Sequence, residues 1–243
     1  MKKIFPKLSA VALLAVASFA QAATLINTPA FTISYADGTK PSQWNIGLLQ
    51  ATPGSATFDL ATMNRQLSSL YVGPNGRQTE AEANAFHYSV LHVDVHDGYK
   101  IDNLMFSATA DGYHRSYWQP GEQPGYADNT LDLRWGVNTA TGSASQSLLS
   151  ERSLDGTERV SRDFGAFNYG NSFDVVFNGW TWVYVFQSPD AQWGPTSTAM
   201  ANIRNASLRI DYAEIHSPVP EPATGVMLLA GLAIMAGLAR RRA

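Results

Sequence analysis

Alternation of apolar and polar residues with period two runs through the middle of this chain and commits much of it to strands buried on one face. Phe31, Ile33 and Tyr35 follow the pattern, as do Leu91, Val93 and Val95, then Leu131, Leu133, Trp135 and Val137, and finally Leu208, Ile210 and Tyr212. Successive side chains of a strand point to opposite sides, so each set shares one face and needs a second apolar layer over it. Between the runs stand Asp37-Gly38, Asp97-Gly98, Asp111-Gly112 and Asp155-Gly156. Such pairs admit the positive φ of tight turns, and Asp97-Gly98 is the clearest because strand-like sequence flanks it on both sides. The expectation is an all-β body, a two-sheet β-sandwich or jelly roll. One short helix is expected from Glu80 to Phe86, with Thr79 as N-cap and Glu82 completing a capping box.

Asn178-Gly179 lies between two β-rich runs, which predicts a two-residue hairpin turn within residues 173–186. That register would set Phe177 opposite Trp180, Val175 opposite Trp182 and Phe173 opposite Tyr184, an aromatic ladder on one face. Two readings of the ladder stand side by side. It forms the inner face of the sandwich, because so much apolar area is costly to expose, or it is a platform for stacking sugar rings. Tyr113, Tyr117 and Trp118, followed by Gln119-Pro120-Gly121, form a further candidate for glycan contact. Trp44 and Trp193 also sit in turn-rich surroundings.

His92, Asp94 and His96 are spaced at i+2, so one strand would point two imidazoles and a carboxylate the same way. Such a set suits a zinc ion, with His87, Asp97 or His114 to complete the shell, although i+2 spacing stretches three ligands around one ion. Solvated polar residues on an outer sheet face are the competing reading. Asp94, Asp97 and Asp102 could offer oxygen ligands to calcium, but their spacing departs from the EF-hand pattern. The chain has no G-x-S-x-G elbow, no phosphate-cradling glycine loop and no cysteine. A glycosidase-type carboxylate pair is set by distance in space, so the sequence leaves it open.

The ends carry a different message. Lys2, Lys3 and Lys7, an apolar stretch from Leu8 to Ala20, and Ala20-Gln21-Ala22 have the pattern of a secretory signal peptide, residues 1–22. Near the other end come Pro220-Glu221-Pro222, an uncharged stretch from Ala223 to Ala239, and Arg240-Arg241-Arg242. As a helix the apolar stretch would reach about 25 Å, marginal for a hydrocarbon core of about 30 Å, and the arginines would stay cytoplasmic. Pro222 biases Glu221 away from helical geometry and leaves an extended segment at the membrane surface. These three elements in order resemble the PEP-CTERM sorting signal of Gram-negative bacteria, here residues 218–243. The resemblance implies recognition by an exosortase, removal of the tail, and an inner-membrane anchor before processing. It implies location and says little about the interior.

Setting aside Lys2, Lys3, Lys7, Arg240, Arg241, Arg242 and Glu221 leaves 11 basic and 19 acidic residues, a net charge of −8. An acidic body argues against nucleic acid or anionic lipid as partners. Residues 23–217 are expected to form the β-domain. The leading expectation is a non-enzymatic component of the cell surface or extracellular matrix, with no cofactor. A glycan-binding module for exopolysaccharide is the alternative, and a metal-dependent hydrolase using His92, Asp94 and His96 is the second.

Overall fold

The computed structural model describes residues 24–36, 45–73, 80–117, 124–165, 167–187 and 196–215. Within them the alternating runs become long antiparallel strands in two sheets. The first sheet has the order β1 (Thr24–Asn27), β2 (Phe31–Tyr35), β6 (Glu80–Val95), β11 (Ser172–Phe186), β8 (Tyr126–Thr139), β9 (Gly142–Arg152). The second has the order β10 (Gly156–Asp163), β7 (Tyr99–Arg115), β12 (Thr198–Glu214), β4 (Ser55–Asp59), β3 (Gly47–Thr52). A short strand β5 (Leu70–Val72) joins β12 beyond β4, and the helix α1 (Ala61–Gln66) lies between β4 and β5 in sequence.

The sheets face each other across one apolar layer, as the period-two pattern requires. Phe31, Ile33, Leu131, Leu133, Trp135 and Val137 from the first sheet are buried with Phe58, Leu104, Phe106, Leu208 and Ile210 from the second. Aromatic edges join the two layers: the Phe106 ring lies 5.2 Å from Phe177 and 5.8 Å from Trp135, and Phe31 lies 6.0 Å from Phe58. Asn129, fully buried on the inward face of β8, donates to the carbonyls of Tyr113, Leu154 and Met200 and accepts from the Leu154 N–H. One side chain thereby pins both sheets and the β9–β10 connection.

The hairpin expected at Asn178-Gly179 does not form. Residues 172–186 are one unbroken strand in the middle of the first sheet, paired along its length with β6 and β8. Gly179 serves a different need: a Cβ there would stand 2.4 Å from Leu67 Cδ1 and 3.1 Å from Leu133 Cδ2, so the glycine lets the segment after α1 close onto the sheet. The short helix expected from Glu80 to Phe86 is also strand, the start of β6. Its sequence alternates, with Ala81, Ala83 and Ala85 packed against the core and Glu80, Glu82, Asn84 and Phe86 exposed. Pairing with β11 overrides the helical preference of alanine and glutamate.

Asp97-Gly98 is a turn, with Gly98 at φ +86°, but it passes the chain from the first sheet to the second and closes no hairpin. Asp111-Gly112 lies inside β7, where the Asp111 carboxylate receives Thr157, Asn202 and the Arg204 guanidinium. The expected signal peptide, Asp37-Gly38 and the apolar helix from Ala223 to Ala239 lie outside the described residues.

Candidate functional site

With β11 continuous, its side-chain parity is preserved through Asn178 and Gly179, and the expected ladder divides between two faces. Phe173 and Phe177 point into the core, while Trp180, Trp182 and Tyr184 point outward from the first sheet. The register then assembles the neighbours. Trp180 pairs with Phe86 on β6 and Asp132 on β8, Trp182 with Asn84 and Thr130, Tyr184 with Glu82 and Asp128, and Phe186 with Glu80 and Tyr126. The following row toward Ser172 holds Tyr88, Asn178 and Arg134.

Four of these rings are exposed, while Trp182, Tyr184 and Phe186 are half-buried. Trp180 is 40 % exposed, Tyr88 48 %, Tyr126 50 % and Phe86 58 %. Neither reading of the ladder holds for all of it: half is core, and half is an outward aromatic stripe. Apolar surface gathered on one face and bordered by polar groups is the kind that marks an interaction site.

The stripe is held in place. The Trp182 Nε1–H donates to Glu82 Oε1 at 2.8 Å, and the Trp182 and Tyr184 rings are parallel within 4°, with centroids 5.7 Å apart. Tyr126 donates to Asp128 at 2.8 Å. That hydrogen bond, with partial burial and the Asp128 charge, raises the Tyr126 pKa. Partial burial and then the charges of Glu80 and Glu82 do the same for Tyr184. Both phenols therefore stay protonated at neutral pH. Arg134 is bonded through two nitrogens to Asp132 at 3.0 Å, on a half-buried carboxylate.

Beyond the stripe the same face dips. Gly136 forms part of a basin of about 350 Å³ with Tyr88, Arg134, Asn138, Asn178, Ser143 and Ser145. Asn138 also borders a second basin of about 460 Å³, which is lined by His92, Asn171, Ser172 and Asp174. From Trp180 to Asp174 along β11 is about 20 Å at the usual strand rise.

His92 sits in this second basin, its Nδ1 2.7 Å from Asp174 Oδ1 and its Nε2 3.2 Å from both Asp94 Oδ1 and Ser172 Oγ. Partial burial pulls its pKa down, but the bond to Asp174 and the charges of Asp94 and Asp174 outweigh it, and the net effect is a raised pKa. His96 does not join the set. It follows the end of β6 and donates from Nδ1 to the Pro29 carbonyl at 2.9 Å. Among the described residues, no three His, Asp or Glu side chains gather as a group that could hold a metal ion. Of the expected set only Asp94 meets His92, whose other partners, Ser172 and Asp174, come from the neighbouring strand β11.

The other glycan candidate is not gathered onto the aromatic face. Tyr113 belongs to β7 in the second sheet, with the Arg115 guanidinium 5.6 Å over its ring, and Tyr117 follows that strand. Trp118, Trp44 and Trp193 lie outside the described residues. Phe86, Tyr88, Tyr126, Ser172 and Asp174 were missed by sequence reasoning, because their nearness depends on register between strands far apart in the chain.

β12 ends at Glu214, and the described chain stops one residue later, just short of the proline pair. Comparison with known families decides what that segment is. Residues 218–243 match the PEP-CTERM protein-sorting motif. The motif spans Pro220, Glu221, Pro222 and Arg240, Arg241 and Arg242, all outside the described residues. A PEP-CTERM tail marks an exported chain that an exosortase processes, so an exosortase is a partner of this protein. No curated protein matches the chain.

Proposed function

We propose that this is a surface or matrix protein whose β-body binds neutral extracellular polysaccharide on the outer face of the first sheet. The observation that carries the reading is the outward placement of Trp180, Trp182 and Tyr184, the first exposed and the other two half-buried, with the exposed rings of Phe86, Tyr88 and Tyr126 beside them. Flat aromatic faces suit the apolar C–H side of pyranose rings, and the surrounding amides, hydroxyls and carboxylates suit sugar hydroxyls. Charge narrows the ligand. Glu80, Glu82, Asp128 and Asp132 border the stripe, with Arg134 already neutralised by Asp132. A polyanionic glycan or an anionic membrane would be repelled, and a second copy of the same face would bring like charges together. Export through the PEP-CTERM tail delivers the domain to the compartment where such polymers lie.

Affinity electrophoresis tests the reading, with hydroxyethyl cellulose as a neutral glycan and alginate as a polyanionic one. The protein should be retarded by the first and not by the second, and Trp182→Ala should weaken the retardation at least about tenfold, the loss of one good contact of about 1.4 kcal/mol. Equal migration in both gels, or retardation only in alginate, would sink the proposal.

A further inference from the structure

The basin at the far end of the same face carries an arrangement that binding alone does not use. Ser172 Oγ lies 3.2 Å from His92 Nε2, and His92 Nδ1 lies 2.7 Å from Asp174 Oδ1. Hydroxyl, imidazole and carboxylate stand in the order in which an activated serine is built, an order recognised by geometry on unrelated folds. The sheet explains the alignment. Ser172 and Asp174 are i and i+2 on β11 and point the same way, and His92 on β6 is the cross-strand partner of Asp174. Its ring therefore reaches both neighbours. Asp174 holds the hydrogen on Nδ1; in the neutral ring Nε2 then accepts the serine proton, and in the protonated ring the Nε2–H donates to Asp94 Oδ1.

We propose that Ser172 and His92, with Asp174 positioning the ring, hydrolyse O-acyl esters, and that the natural substrates are acyl groups on the polysaccharide held along this face. The choice of polysaccharide rests on the binding reading above; the ester chemistry rests only on the basin. Ser172 Oγ attacks the acyl carbonyl carbon as its proton passes to His92 Nε2. The ester C–O bond then breaks, the departing sugar oxygen takes that proton, and the acyl group remains on Ser172. A water molecule attacks the acyl-serine with His92 again as base, releasing the carboxylic acid and restoring the serine. Asp94, also 3.2 Å from Nε2, stabilises the imidazolium that forms in each half. Asn138 and Asn171 line the same basin of about 460 Å³ and bring side-chain amides, a donor type that stabilises the oxyanion of a tetrahedral intermediate. This volume is sufficient for a small acyl group.

The test uses the full exported chain with p-nitrophenyl acetate as substrate and a fluorophosphonate as label. The wild-type protein should turn over the ester and carry a single phosphonyl adduct, mapped by mass spectrometry to Ser172. Ser172→Ala and His92→Ala should each lower kcat/KM by about 10² to 10⁴-fold, with added imidazole restoring part of the activity of the second. Asp174→Asn should lower kcat with little change in KM. Absence of an adduct on Ser172, or a Ser172→Ala protein that hydrolyses the ester at the wild-type rate, overturns the proposal. Wild-type protein run in parallel on the hydroxyethyl cellulose gel separates the two readings. Retardation without turnover removes the esterase and leaves binding, whereas turnover without retardation removes the polysaccharide and leaves the ester chemistry.

Discussion

Acidification from pH 6.5 to 4.5 should weaken the fold through one residue, His87. It projects inward from β6, only 2 % exposed, donates from Nδ1 to Gln66 Oε1 at 2.7 Å and accepts at Nε2 from Ser89 Oγ at 2.9 Å. Both contacts are satisfied by the neutral ring. Burial pushes its pKa from 6.5 down to about 4. A base with a depressed pKa supports the fold fully above its unfolded value, and the support drains as the unfolded chain takes up a proton that the folded chain refuses. The window therefore opens at 6.5 and closes near 4. At about 1.36 kcal/mol per unit, the loss by pH 4.5 is about 2.5 kcal/mol, a large share of an ordinary domain's stability. Urea unfolding at pH 6.5 and 4.5, compared between wild type and His87→Gln, isolates it, because titrating carboxylates contribute equally to both proteins. The variant should lose about 2 kcal/mol less than the wild type over that interval, because at pH 6.5 the unfolded ring is already half protonated. Equal losses, or an NMR titration that puts the His87 ring near 6.5, would refute the account of a buried neutral imidazole.

His92 should act in the opposite sense. Its pKa is raised, so its contribution is complete below 6.5 and disappears as pH climbs through the raised value, an effect Asp174→Asn should shrink, leaving the part due to Asp94, in a stability-against-pH profile. Asn129→Ala should cost about 2 to 4 kcal/mol in denaturant unfolding, because it orphans backbone groups of the second sheet and of the β9–β10 connection at once. Gly179→Val should destabilise by about 1 to 3 kcal/mol through overlap with Leu67 and Leu133, whereas a glycine in an exposed hairpin turn would tolerate valine far better in the same assay. Acrylamide should quench Trp180 readily and Trp135 hardly at all, and single-tryptophan variants would show it.

The strands at residues 31–35, 91–95, 131–137 and 208–212 were legible because each has one face in the core, and burial on one face writes itself into the sequence as alternation. The errors arose where a local signal had a nonlocal cause. Gly179 reads as a turn residue, yet Leu67, over a hundred positions earlier, is what requires a missing side chain there. That single misreading reversed the face assigned to everything beyond it, since Phe177 and Trp180 share a side across a two-residue turn and lie on opposite sides of a continuous strand. Residues 80–86 contain good helix formers, and only the ladder with β11 shows why they extend. The His92 cluster joins residues 80 and 82 positions apart, a separation on which sequence spacing is silent.

β12 has β7 along one edge and β4 and β5 along the other, and the sorting tail follows it closely in sequence. A membrane-bound protease that grips an uncut molecule by its rear would have to tear out an interior strand, one bonded to neighbours along both of its edges. Molecules that the sorting enzyme fails to release are thereby guarded against being threaded apart while they wait.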